Sequence, residues 1–259
     1  MDLDQRFNHH ITFRVAETPI FVDRKFREKL TQASDEIIDF LVRKDLKQIT
    51  DPAIPAHLNV PNETDHTLFL ALDFAVVLED GELEPRLIEL QGFPSLFGWQ
   101  EVLSQKYREH FKVPDNFQSH FGLASAEYLA WIRRVLLNGH HPENVILLEI
   151  EPMKQNTAVD FLATREFTGI EPVHLGDVKR EGRKLFYQSN GKKTEIKRIY
   201  NRVIFDELVK RTDLQLSFNL VDDVDVEWAG HPNWFFRISK FLMPLIKSKY
   251  IPECRLLSE

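Results

Sequence analysis

The stretch Val145-Ile-Leu-Leu-Glu-Ile150 is so apolar that it predicts a buried strand. After a short loop, Asn156 is placed to cap a helix that continues through Phe167. Gly169 ends that helix, and Ile170–Leu175 predicts a second strand. Strand, helix and strand in this order, with short connections, predict neighbouring parallel strands joined by a crossover helix, and hence an α/β fold.

The elements on either side extend this pattern. Leu123–Leu137 predicts the helix that precedes the first strand. Asn190-Gly191, between Lys184 and Tyr200, predicts the turn of a hairpin. Near the N-terminus, Asp23 is placed to cap a long amphipathic helix from Arg24 to Lys47. The tail from Trp234 to Lys249 predicts a helix that is interrupted at Pro244.

Composition excludes several classes of protein. With 259 residues, 43% of them hydrophobic and 28% charged, the chain can bury a core, and two domains or one domain with a large insertion are expected. A net charge of −7 argues against nucleic acid as a partner. No apolar run reaches the length of a membrane span. A single cysteine, Cys254, and an N-terminus without a signal-peptide core favour a cytoplasmic location.

Polar groups inside a second predicted hairpin are the most informative chemical feature. Thr67–Leu78 and Leu83–Leu90 are apolar runs separated by Asp80-Gly81, yet Asp73 interrupts the first of them. Glu89 and Gln91 lie two residues apart and therefore share a face of the second strand. A three-residue turn, which Pro85 favours, would place Asp73 opposite Glu89 on that same face.

Two facing carboxylates, roughly 5 Å apart, repel each other unless water, a shared proton or a cation intervenes. Oxygen ligands from Asp73, Glu89 and the amide of Gln91 are of the kind that Mg²⁺ prefers. The alternative is a half-exposed hairpin whose acids simply lie on its wet face. The residues alone leave both interpretations open.

Three other polar residues are candidates for ligand contacts. Arg202 follows the predicted strand ending at Tyr200, a common position for contacts in α/β sheets, although a surface salt bridge is the alternative. Asn156 begins a helix whose free N–H groups can receive an anion, or it is an ordinary cap. Lys240 lies on the predicted C-terminal helix, where a solvated lysine is the alternative. Asn190-Gly-Lys-Lys-Thr194 lacks the upstream glycine of a phosphate-binding loop and is better interpreted as the hairpin turn.

The order of these features resembles that in circularly permuted ATP-grasp ligases, the branch of eukaryotic glutathione synthetases and glutathionylspermidine synthase-like proteins. Asp73, then Glu89-Leu-Gln91, then Gly92-Phe-Pro-Ser-Leu-Phe-Gly98 resembles the metal-binding hairpin and the substrate-contacting loop of that family. Ile199-Tyr-Asn-Arg202 resembles the strand-end arginine of its inserted substrate domain. His231 to Lys240 resembles the segment that returns to the ATP-grasp core. The resemblance covers about residues 67–245.

This resemblance implies an ATP-grasp-like hairpin region over residues 1–115, an inserted Rossmann-like parallel-sheet substrate domain over 116–225, and a helical return segment over 226–259. It implies that ATP and Mg²⁺ are the cofactors, with Asp73, Glu89 and Gln91 on the metal and Lys240 on the nucleotide. Arg202, Ser95 and Asn156 would position the substrate, and no side chain would act as a covalent nucleophile.

The implied function is ATP-dependent joining of a small-molecule carboxylate to an amine through an acylphosphate, with no membrane or nucleic-acid partner and with homodimer formation left open. Two departures are visible: Gln91 stands where the family has Asn, and the family's second nucleotide-binding lysine and glycine-rich loop would fall after about residue 260. A non-catalytic α/β module that binds a carboxylated small molecule or peptide is therefore the alternative, as is an unrelated two-domain α/β enzyme such as a transferase.

Overall fold

The structure is a computed structural model that describes residues 3–114, 117, 119–120 and 122–256. The helices in chain order are α1 (Leu3–Phe7), α2 (Arg24–Leu41), α3 (Leu46–Thr50), α4 (Phe97–His110), α5 (Ser125–Leu137), α6 (Ala158–Thr168), α7 (Phe205–Leu208) and α8 (Asn233–Arg237). The strands are β1 (Ala71–Glu79), β2 (Glu82–Gln91), β3 (Val145–Glu149), β4 (Glu171–His174), β5 (Lys179–Glu181), β6 (Lys184–Ser189), β7 (Lys192–Ile196), β8 (Arg198–Asn201) and β9 (Glu227–Ala229).

The chain forms two compact units, each built from two separate stretches. The first unit comprises Met1–Pro19 and Ser95–Ala229, and the second comprises Ile20–Pro94 and Gly230–Glu259. The junction expected from the sequence at residues 115 and 116 lies outside the described residues. Helix α4 packs against α6 within the first unit.

A four-stranded parallel sheet organises the first unit, with strand order β4-β3-β8-β9. Every residue of β3 and β8 is buried, which explains why Val145–Glu149 contains no alternation of polar and apolar residues. The parallel pairing of β3 with β4 through α6, predicted from the sequence, is confirmed. The mixed α/β class is confirmed as well.

A small antiparallel sheet, β5-β6-β7, branches from the same unit between β4 and β8. Its hairpin turns at Asn190 and Gly191, which have positive φ angles of 50° and 76°. These are the left-handed conformations that a tight two-residue turn requires. The string that superficially resembles a phosphate-binding loop is therefore this turn.

The second unit places the antiparallel hairpin β1–β2 against α2. Its core contains Ile37 and Leu41 of α2, Leu87 and Leu90 of β2, and Trp234 of α8, each at most 7% exposed. Asp23 caps α2 as predicted, because its carboxylate accepts the N–H of Phe26 at 2.7 Å. The helix ends at Leu41, however, and the chain becomes helical again only in the short α3.

The long C-terminal helix predicted over Trp234–Lys249 is wrong. Helix α8 ends at Arg237, Ile238 and Ser239 are extended, and a 3-10 turn follows over Lys240–Leu245. The hydroxyl of Ser239 accepts the N–H of Phe241 and so starts that turn separately. Pro244 removes a further helical hydrogen bond, and the segment therefore consists of two short turns.

Asp160 connects α6 to the beginning of α4. Its side chain is fully buried, and its carboxylate accepts the N–H groups of Leu96 at 3.1 Å and Trp99 at 2.9 Å. Leu96 has a φ of +74°, a left-handed conformation that is strained for leucine. Gly98 is packed so tightly that a Cβ atom would lie 2.9 Å from the backbone nitrogen of Thr164. The loop from Ser95 to Gly98 is therefore held in a fixed conformation by α6.

Asp160→Ala should lower the free energy of unfolding by about 2–5 kcal/mol, because it leaves the buried N–H of Trp99 and the partly buried N–H of Leu96 without their acceptor. Urea unfolding followed by circular dichroism measures this change. The exposed Asp39 of α2 provides the matched control, since Asp39→Ala should alter stability by less than about 0.5 kcal/mol. Equal unfolding midpoints for the two variants would refute the role given to Asp160.

Candidate functional site

The hairpin of the second unit brings together the two acids that the sequence singled out. Asp73 pairs directly with Glu89, and Ala71 pairs with Gln91. The predicted three-residue turn is wrong, because Glu79 pairs with Glu82 and only Asp80 and Gly81 form the turn. A register shift between Asp73 and Phe74 compensates, since Phe74 pairs with Leu87 and leaves Ile88 as the extra residue of a β-bulge.

The bulge decides which face the acids occupy. Leu87 and Leu90 are both fully buried although they are three residues apart, which a regular strand of period two cannot achieve. Because Ile88 is inserted, Leu90 faces the core and Glu89 and Gln91 face away from it. Asp73 is exposed and the Glu89 side chain is 36% exposed, so both acids are accessible to solvent.

Lys240 lies beside this pair. Its ammonium is 3.7 Å from a carboxylate oxygen of Glu89, and its side chain is 65% exposed. An ion pair this exposed contributes little to stability. The residue predicted to meet a nucleotide and one residue predicted to hold a metal are thus neighbours, although Lys240 begins a 3-10 turn rather than lying within a helix.

Asp73, Glu89 and Gln91 would supply only some of the oxygen ligands that Mg²⁺ requires. Two carboxylates and an amide leave several of the six positions around Mg²⁺ to water or phosphate, which this ion commonly retains. Across the described ranges, which omit residues 1–2, 115–116, 118, 121 and 257–259, no group of three His, Cys, Asp or Glu side chains is arranged to hold a metal. Metal binding here remains a prediction that depends on a ligand supplying the other oxygens.

A second candidate site lies in the first unit, where the parallel sheet changes its winding direction. From β3 the chain continues to β4 on one side, while β8, on the other side of β3, continues to β9. The carboxyl ends of β3 and β8 therefore form a topological switch point, where ligands bind in open α/β sheets. The backbone N–H of Arg202 donates to the carbonyl of Leu148 at 2.9 Å, which sets Arg202 directly beside the end of β3.

Glu149 is the last residue of β3 and is 6% exposed. Burial raises the pKa of its carboxyl to about 8, although the hydrogen bond from the N–H of Ile150 and the charge of Arg202 act in the opposite direction. Glu149 is therefore mostly protonated and neutral at pH 7. Arg202, which is 8% exposed, lies close enough for its charge to lower the pKa values of both Glu149 and Asp160.

The loop after β3 is held rigidly around this pair. Glu151 has a positive φ of 46°, and its N–H donates to Nδ1 of His174 at 2.9 Å. Gln155 donates to the carbonyl of Ile150 at 2.8 Å and to the carboxylate of Glu207 at 3.0 Å. These contacts fix the backbone that follows Glu149, whose own carboxyl oxygen accepts the N–H of Ile150 at 2.7 Å.

Two other residues, Ser95 and Asn156, were predicted to contact the substrate. Ser95 is half-buried in the loop that Asp160 holds. Asn156 is exposed and does not cap α6: the cap position is Thr157, whose side chain makes no capping bond, and Asn156 accepts the hydroxyl of Thr12 at 3.1 Å. The role of Asn156 as a helix cap is therefore wrong.

A cavity of about 730 Å³ lies elsewhere in the same unit, between β4 and the hairpin β6–β7. Its charged lining residues carry both signs: Arg165, Lys179 and Lys193 against Glu171, Asp177 and Glu181. None of the site residues predicted from the sequence lines this cavity. His174 is shared between this cavity and the loop after β3. Its size alone gives no chemistry, so the buried pair of Glu149 and Arg202 is the stronger candidate.

Three buried acids, Glu101, Glu149 and Asp160, were missed by the sequence reasoning. A signal existed for Glu149, because it is the one charged residue in the apolar run Val145–Ile150. For Asp160 there was none, since an acid in the first turn of a helix is ordinarily a solvated residue that favours the helix dipole.

Comparisons with known proteins find similarity at the level of the fold. No family model matches the chain, and no curated protein matches it. Among solved structures, the chain is similar to a glutathione synthetase-like effector (GSS30) from Globodera pallida in its apo form, with a TM-score of 0.56 and 13% sequence identity. The match covers 90% of this chain and 58% of that structure, so this chain spans less than two thirds of its length. At this identity the likeness shows a glutathione synthetase-like fold.

Proposed function

We propose that this chain belongs to an ATP-dependent carboxylate–amine ligase and contributes the site that binds the carboxylate. The observation that carries the proposal is the pair of Arg202 and a neutral Glu149, buried at the switch point of a sheet whose fold is glutathione synthetase-like. The planar guanidinium of an arginine at a strand end is suited to bind a carboxylate through two parallel hydrogen bonds.

The residues of this chain would act by positioning. Arg202 would donate two parallel hydrogen bonds to the substrate carboxylate, and the protonated Glu149 would donate a third hydrogen bond or accept one from a substrate amine. The loop fixed by Asp160 would present Ser95 and its backbone to the substrate. Because these groups are held before the substrate arrives, binding would require little reorganisation.

The nucleotide would bind in the second unit. Lys240 would neutralise phosphate charge, and Asp73, Glu89 and Gln91 would hold Mg²⁺ together with phosphate oxygens. Bound Mg-ATP would supply the phosphoryl group that activates the carboxylate as an acylphosphate before an amine attacks it. The ammonium of Lys240 lies 3.7 Å from a carboxylate oxygen of Glu89, which supports the proposal. The phosphate would bind the ammonium and the metal would bind the carboxylate, and the two side chains are already neighbours.

The alternative function is a module that binds a carboxylated small molecule or peptide without turnover. Both functions use Arg202, and they differ in whether Mg-ATP binds.

Arg202→Ala should weaken binding of glutathione, used as a carboxylate probe, by at least about thirtyfold, because a desolvated charge pair is lost. Isothermal titration calorimetry measures the affinity. Arg202→Lys should recover only part of it, since an ammonium cannot form the planar two-point contact. The exposed Arg27 of α2 supplies the control, and Arg27→Ala should bind normally. Unaltered affinity in Arg202→Ala would exclude this residue from the site.

Glutathione binding should weaken by roughly tenfold as the pH rises through about 8, because ionised Glu149 then competes for the charge of Arg202. The stability of the folded chain should fall over a lower interval, from pH about 4.5 to 8, because there the folded state retains a proton that the unfolded state has lost. Glu149→Gln cannot ionise and should lack both effects. Identical pH profiles for the chain and this variant would contradict the assignment of Glu149.

Mg-ATP should bind with a dissociation constant that Lys240→Met raises by about tenfold, because one phosphate contact is lost. Titration of ADP and ATP with and without Mg²⁺ tests this, with Lys210→Met as a control on an exposed lysine of the other unit. The absence of any nucleotide binding, together with normal glutathione binding, would favour the non-catalytic module.

A further inference from the structure

Three polar side chains form a buried cluster in the first unit: Glu101, His120 and Tyr128. Glu101 on α4 is fully buried, and His120 and Tyr128 are 6% and 2% exposed. One carboxylate oxygen of Glu101 lies 2.7 Å from Nε2 of His120, and the other accepts the side-chain amide of Gln105 at 2.9 Å. A buried carboxylate is costly unless it is hydrogen-bonded, so these partners explain how Glu101 is accommodated in the core.

Tyr128 on α5 connects the cluster to the beginning of α4. Its ring stacks on that of His120, with the ring centroids 3.9 Å apart and the planes inclined by 15°. Its hydroxyl donates to the carbonyl of Phe97 at 2.9 Å. Burial, together with the charges of Asp160 and Glu101, raises the pKa of this hydroxyl, so that it keeps the proton it donates at pH 7.

These contacts close into a ring. Phe97 and Glu101 are four residues apart and therefore lie one turn apart on α4. From Glu101 the ring continues through His120 to Tyr128 and returns to the carbonyl of Phe97. The position of the Tyr128 hydroxyl is therefore determined by two other buried side chains as well as by its own rotamer.

Two helices thus hold the loop from Ser95 to Gly98. From α6, the carboxylate of Asp160 accepts two N–H groups of this segment, and from α5 the hydroxyl of Tyr128 donates to a carbonyl that lies between them in sequence. Leu96 has a left-handed φ of 74°, a conformation that a leucine keeps only where the surrounding structure imposes it. Loss of either contact would therefore allow the loop to relax.

We propose that Tyr128, held in place by His120 and Glu101, positions the loop of Ser95 for the substrate. This inference rests on the proposed function, because Ser95 is the residue that the loop would present to the carboxylate substrate. The carbonyl that Tyr128 holds lies two residues after Ser95, at Phe97. Since misplacing a substrate-contacting group by about 1 Å can cost about a hundredfold in rate, a hydroxyl that does not touch the substrate can control its binding.

Two tyrosine-to-phenylalanine variants separate positioning from stability. Tyr187 on β6 is also buried, at 4% exposure, and its hydroxyl likewise donates to a backbone carbonyl, that of Glu143, at 3.0 Å. Each variant loses one such bond, so both should lower the urea midpoint by similar amounts. Tyr128→Phe should weaken glutathione binding by about fivefold, whereas Tyr187→Phe should bind normally. Equal glutathione affinities for the two variants would overturn the proposal.

A double-mutant cycle with Ser95→Ala shows whether Tyr128 acts through the loop. Each single variant should weaken glutathione binding by about fivefold, and the double variant by little more, because a misplaced loop no longer presents the Ser95 hydroxyl. Independent effects would multiply to about twenty-five-fold and would refute the positioning role. If Arg202→Ala loses binding while Tyr128→Phe binds normally, the proposed function stands and the role of Tyr128 is wrong.

Amide hydrogen exchange tests the same role without a ligand. In Tyr128→Phe, the N–H groups of Leu96 and Trp99 should exchange at least about tenfold faster than in the unaltered chain, because the loop opens locally. The N–H of Arg202, which donates to the carbonyl of Leu148, is the reference and should exchange at an unchanged rate. Unchanged exchange at residues 96 and 99 would contradict the proposal whether or not glutathione binds.

Discussion

The first unit depends on burying ionisable groups at the carboxyl ends of two parallel strands. Asp160 is fully buried, and burial raises the pKa of its carboxyl against the opposing effect of the N–H groups it accepts. Those N–H groups come from the loop before α4 and from its first turn, so one carboxylate joins the crossover helix to the segment that follows Ser95. The charge of Arg202 also acts on it, which links the loop electrostatically to the switch point.

Glu149 and Arg202 are the buried groups on which the proposed function rests. Burial raises the pKa of the Glu149 carboxyl to about 8, while the charge of Arg202 acts in the opposite direction, so the two groups are electrostatically coupled at the switch point. Perturbed, desolvated groups of this kind concentrate at functional sites, which supports the proposed carboxylate site.

The strands of the parallel sheet could be predicted because the hydrophobic patterns of Val145–Ile150 and Ile170–Leu175 fit strands and are followed by clear stop signals. It did not allow the register of β1–β2 to be predicted correctly in detail: the facing of Asp73 and Glu89 was right, but the turn was wrong, and the bulge at Ile88 compensated. The spacing of Leu87 and Leu90 held that information. Glu149 and Asp160 were missed because their burial arises from tertiary packing, which no local pattern records.

The most direct measurement is an NMR titration of the arginine side-chain Nε–H signals with glutathione at pH 7. The account predicts that the Arg202 signal shifts saturably, while that of Arg165, which lines the 730 Å³ cavity, stays unchanged. Arg202→Lys identifies the signal by its disappearance. A shift confined to Arg165, with Arg202 unmoved at saturation, would contradict the central claim and place the ligand in the cavity instead.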